Sequence, residues 1–194
     1  MIEGAVHFRT LDQLISDFRN LREGLSLARK SFDNIRNKPA HQPKNEFIDD
    51  FVNSRFGSFT LSNFVEADQE LNAVYSLVLI ASAEGSIRRY YQEVGLFKKP
   101  KADHTRALKN VFDQFKEKAS LENLIEQLKQ VKKQNVALHQ NESKFLSLLK
   151  FRHWMAHGRH WPPNLQLSNP YDYKAEDVHR FLVNFIRSDF PPHR

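Results

Sequence analysis

Apolar residues fall at Leu11, Leu14, Ile15, Phe18, Leu21, Leu25, Leu27 and Ala28, the spacing of one face of an α-helix. Thr10 and Gln13 form a T-x-x-Q capping box ahead of it. Pro39 and Pro43 cannot continue a helix, so the pattern predicts one over 11–35. Residues 37–60 are less regular, with a short helix expected at 45–54 and a turn at Gly57. A second long helix is predicted over 61–91. Its middle, Val74 to Ala83, is apolar on nearly every side, which marks it as the central helix. Lys99-Pro100-Lys101 breaks the chain, and helices follow at 103–117 and at 120–134, the latter with Ser120 as its N-cap. A fifth is predicted from Asn141 through Phe145, Leu148, Leu149 and Met155 to His157, with Gly158 as its C′ residue and Pro162-Pro163 beyond. A sixth is predicted over 174–188, burying Val178, Phe181, Leu182, Phe185 and Ile186.

No strand pattern and no internal repeat stands out. All 8 prolines lie outside the long helical patterns, so the levels of the sequence agree on an all-α fold. The expectation is a helical bundle of five to six helices. No Gly- or Pro-rich linker divides it, so residues 1–194 are read as one domain.

Composition narrows the function. Hydrophobic residues make up 40% of the 194, with 16 Phe, enough for a packed core and too much for a disordered chain. The absence of Cys excludes a disulfide scaffold, a thiol nucleophile and Cys-ligated zinc. The longest apolar stretch, Leu71 to Ala83, is interrupted by Asn72 and Ser76, and Met1 to Thr10 lacks the apolar core of a signal peptide. A cytoplasmic chain with no membrane partner is expected. The net charge is +6, but Lys98 to Arg152 carries 13 Lys and Arg against 6 Asp and Glu, a net of +7 that leaves −1 for the rest. That segment is a candidate phosphate-facing surface, although lysines on helix faces are commonly just solvated.

The densest chemistry is Phe151-Arg152-His153-Trp154-Met155-Ala156-His157-Gly158-Arg159-His160-Trp161. Histidine moves protons near neutrality, arginine forks onto phosphate oxygens, and tryptophan stacks on bases. Packing alone also explains parts of it: Met155 and Trp154 suit a core edge, and cations suit a helix C-terminus. His153 and His157 share a helix face, with His160 close by, which is a zinc-like spacing. The Glu of H-E-x-x-H is missing, so no metal is assigned.

Arg152 and His157 form R-x4-H within F-R-x-x-x-A-H-G, near the end of the penultimate helix. This resembles the HEPN superfamily, whose active members carry R-x4-6-H. The resemblance runs over residues 61–188 in helix order and over that one stretch in motif. It implies an HEPN-like bundle acting as a metal-independent endoribonuclease without a cofactor, cleaving RNA by 2′-hydroxyl attack. It also implies a homodimer with a shared site. Relatives include toxins held by a neutralising antitoxin protein and antiviral nucleases. A non-catalytic HEPN-like dimer that binds nucleic acid, a nucleotide or a protein is the alternative.

The motif also occurs at Arg36 to His41 and at Arg187 to His193, but both copies contain proline and neither ends an apolar helical run. Two positions depart from the family: His153 stands where many members have Asn, and Arg159 where some toxins have Tyr. Arg152 and His157 are the expected catalytic pair. His153, Arg159 and His160 are expected substrate contacts. Glu84, at the end of the apolar centre of the second helix, is expected either to pair with Arg88 or to orient Arg152 or a histidine. Lys98, Lys99 and Lys101, which flank Pro100, are expected either along the RNA backbone or simply in a solvated turn between helices.

One constraint comes from helix geometry. Five residues turn about 500°, so Arg152 and His157 point about 140° apart and sit ~7.5 Å apart along the axis. Either the last turn unwinds or a second copy completes the site.

Overall fold

The computed structural model describes residues 9–37, 60–98, 100, 103–131, 136–157 and 173–190. Among these the chain is all-helical, a bundle of six α-helices with no strand. The helices are α1 (Leu11–Arg36), α2 (Leu61–Gly95), α3 (Asp103–Phe115), α4 (Leu121–Val131), α5 (Val136–Ala156) and α6 (Ala175–Asp189). The helix expected at 45–54, the turn at Gly57 and Gly158 lie outside the described residues. Among the described residues no helix is long and apolar enough to cross a membrane.

Local chemistry sets the boundaries. At the start of α1 the Thr10 hydroxyl accepts from the Gln13 N–H at 3.2 Å, and the Gln13 side chain accepts from the Thr10 N–H at 2.9 Å. Ser120 caps α4, accepting from the Asn123 N–H at 3.1 Å. The α-helical part of α3 stops at Phe115, two residues short of expectation. Lys116 has a φ of 53°, a left-handed conformation that ends α-helical bonding. The Lys116 carbonyl accepts from the Tyr91 hydroxyl at 2.8 Å, which anchors the turn. In the other direction, α5 begins at Val136, five residues before Asn141. An Asn inside a helix costs at most about 0.7 kcal/mol, too little to set a boundary.

Helix α2 is central in the connectivity sense, packing against α1, α3, α5 and α6. Leu79, Ile80, Ala83, Ile87, Tyr90, Tyr91 and Val94 are buried along it. It is not covered all round, since Val74 and Val78 are exposed where no described helix lies over them. Helix α1 buries Leu14, Ile15, Phe18 and Phe32, while Leu21 and Leu27 of the same expected stripe are exposed. Between α5 and α6 the core is aromatic: Phe145 stacks on Phe185 at 4.9 Å between ring centroids. The start of α6 is tied to α2 by polar bonds, as the Asn72 side-chain oxygen accepts from the Ala175 N–H at 3.3 Å.

Candidate functional site

The site is built where the last turns of α5 pass the middle of α2. Phe145, Leu148, Phe151 and Met155 hold α5 in the core, and Trp154 is buried beside them with its ring 6.1 Å from that of Phe151. Trp154 is therefore a packing residue, not an open platform for a base. The opposite side of the same turns carries the polar residues. Arg152 lies at the edge between core and solvent, and His153 and His157 are exposed.

Arg152 reaches across to α2. Its Nε lies 3.3 Å from Oε2 of Glu84, while Oε1 of the same carboxylate accepts from Arg88 Nε at 3.2 Å. The Glu84 side chain is only 17% exposed against 38% for Arg152, so the carboxylate sits beneath the two guanidiniums. Both relations considered for Glu84 thus occur together: the i,i+4 pair with Arg88 and the contact with Arg152. Arg88 is steadied further by its contact with the Ala119 carbonyl at 3.5 Å. Two cations share one anion, which leaves a net +1 at the cluster. The Arg152–Glu84 contact occupies Nε, leaving the two Nη nitrogens for another acceptor such as a phosphate oxygen.

The His153 and His157 rings are 4.2 Å apart between centroids, tilted by 53°. The His157 N–H still bonds the His153 carbonyl at 3.1 Å, so helical bonding continues through the last turn. The turn does not unwind to bring His157 round to Arg152. Within one chain Arg152 faces Glu84, whereas His157 follows the exposed His153 side. Among the described residues no group of three or more His, Asp or Glu could hold a metal ion. Arg159 and His160 lie outside the described residues, as do Lys99 and Lys101.

Lys98 is exposed just past the end of α2. Gly95 lies eleven helical steps beyond Glu84, a rise of about 16 Å, so Lys98 lies well beyond the Arg152 cluster. Much of the basic segment is engaged locally. Lys109 bonds Asp113 and the Gly95 carbonyl, each at 2.9 Å, and Lys144 sits 4.7 Å over the Phe181 ring. Tyr90 and Tyr91 are core residues. Burial pushes both phenols above their ordinary pKa, with the Asp113 charge adding to the effect at Tyr91.

The sequence reading gave Arg88 no part beyond its pair with Glu84. Its second contact, with the Ala119 carbonyl, comes from a distant segment and leaves no local spacing signal. No family model, curated protein or solved structure matches this chain.

Proposed function

We propose that the chain is a metal-independent endoribonuclease of HEPN type, with Arg152 and His157 as its catalytic pair. The observation that carries this reading is the Glu84–Arg152 contact, one helical turn from the exposed His157. A fixed cation and a proton carrier are the two groups that cleavage by the ribose 2′-hydroxyl requires. In that reaction the 2′-oxygen bonds to phosphorus and the bond from phosphorus to the 5′-oxygen breaks. His157 takes the 2′-hydroxyl proton, and the leaving 5′-oxygen takes one from water. Arg152 meets the charge that develops on the phosphate oxygens. The products are a 2′,3′-cyclic phosphate and a 5′-hydroxyl.

A homodimer fits the same geometry. Helical bonding persists to His157, so one copy directs its two catalytic groups apart. Two α5 ends meeting across a two-fold axis would pair the Arg152 of one copy with the His157 of the other. His153, Arg159 and His160 extend the substrate contact, and Lys98, Lys99 and Lys101 follow the RNA backbone. A cytoplasmic toxin or antiviral effector, restrained by an antitoxin protein, is the biological setting this reading favours.

The test separates chemistry from binding. Purified chain is incubated with single-stranded RNA in EDTA, and the product ends are analysed alongside affinity. His157→Ala should abolish cleavage with RNA affinity nearly intact, because His157 acts on the 2′-hydroxyl proton and Arg152 on the phosphate charge. Arg152→Ala should abolish cleavage and also reduce the salt dependence of binding, because a fixed charge is lost. Firm RNA binding by wild type with no cyclic-phosphate product would replace this reading with the non-catalytic module.

A further inference from the structure

A cavity of about 520 Å³ opens between the start of α1, the middle of α2 and the end of α6. Its size is that of a small-molecule site. Arg9, Arg88, Arg89 and Arg187 line it, with Asp12 as the one acidic residue among the described lining residues. Asp12 is itself held by His179, whose Nε2 is 3.0 Å from its carboxylate. Arg9 pairs with Asp17 and Arg88 with Glu84. Arg89 and Arg187 are exposed and have no acidic partner among the described residues. Arg89 and Arg187, carried by α2 and α6, are the guanidiniums of this lining left to meet an anion.

The rest of the lining is not that of a bare anion site. Leu11, Ala81, Val183 and Ile186 supply an apolar wall, and Ser82 and Ser86 add hydroxyls between the two kinds of surface. Planar guanidinium forks suit phosphate oxygens, and an apolar wall suits a ribose or a base. We propose that this cavity is a nucleotide-binding site, with Arg89 and Arg187 on the phosphate and the Val183–Ile186 side of α6 against the sugar or base. The proposal does not rest on the ribonuclease reading, since neither Arg152 nor His157 lines the cavity. The sequence concealed it. Arg9, Arg89 and Arg187 all belong to the part of the chain that sums to −1, and only folding gathers them.

The nucleotide could be free or one unit of a strand, and two probes distinguish these sources. The full chain is titrated by calorimetry at low salt with ADP and, separately, with a single-stranded 2′-O-methyl hexanucleotide, which resists 2′-hydroxyl cleavage. One ligand per chain is expected, with affinity at least about tenfold lower in the double variant Arg89→Glu/Arg187→Glu. Both positions are exposed, and an unchanged melting curve confirms the fold. Lys129→Ala, on α4 and outside the cavity lining, should bind both probes as wild type does, which shows that the loss belongs to the cavity and not to any lost positive charge. Binding of ADP with that loss assigns the cavity to a free nucleotide. Binding of the hexanucleotide alone, with the same loss, assigns it to a strand. Silence from both probes, or a double variant that binds as wild type does, overturns the proposal.

Discussion

Glu84 joins one arginine from its own helix to another from α5, and its burial makes it the pivot of the cluster. In Glu84→Gln a neutral amide replaces the shared carboxylate, so Arg152 loses the contact that orients its Nε. RNA cleavage should fall by about tenfold or more through kcat, while RNA affinity stays level or rises as a negative charge disappears. Stability should change by only about 0.5–1 kcal/mol, because both arginines are partly solvated. A KM that rises with kcat unchanged would show that Glu84 does not position Arg152.

Tyr173 makes a second prediction at this scale. It is buried against Phe151, with ring centroids 4.6 Å apart, and its hydroxyl has no hydrogen-bond partner among the described residues. Desolvation pushes its pKa up to about 12, against about 10 in the unfolded chain. The folded phenol therefore keeps its proton where the unfolded one has lost it. Stability from this group is constant below about pH 10 and falls as pH rises from there toward 12. Tyr173→Phe should flatten that alkaline loss in a denaturation series. At neutral pH it should leave stability within about 1 kcal/mol of wild type or raise it.

At the scale of elements, the close approach of α3 to α2 depends on Gly95. A Cβ there would lie 2.5 Å from the Phe112 ring. That ring is confined by Tyr91 at 5.3 Å and by the Lys109 and Lys116 ammonium groups above it. Gly95→Ala should destabilise the chain by about 1–2 kcal/mol, read as a lower urea midpoint, because overpacking outweighs the gain in helix propensity. The same scale shows what was legible in the sequence. The caps at Thr10 and Ser120 were, because each depends on residues three apart. The left-handed Lys116 was not, because it depends on a turn anchored by the Tyr91 hydroxyl from another helix. The exposure of Leu21, Leu27, Val74 and Val78 was equally hidden. Periodicity says which side of a helix is apolar; only the arrangement of neighbours says how much of it is covered.

For the whole molecule, the charge tally pointed to residues 98–152, yet many described cations there are committed to neighbours. Arg89 and Arg187, with no acidic partner among the described residues, lie instead around a cavity formed by α1, α2 and α6. A linear tally cannot see such a cluster, just as it could not see that Glu84 joins Arg88 to Arg152. The shared-site reading also fixes assembly: light scattering at micromolar concentration should give a dimer, and a persistent 22.8 kDa species would contradict it. The most direct test of the central claim is the rate of RNA cleavage in EDTA by wild type, His157→Ala, His41→Ala and His193→Ala. The account predicts that wild type and the variants of the two proline-containing motif copies cut at the same rate, and that folded His157→Ala does not cut. Cleavage by His157→Ala at the wild-type rate, or activity in wild type only when a divalent metal is restored, would contradict it.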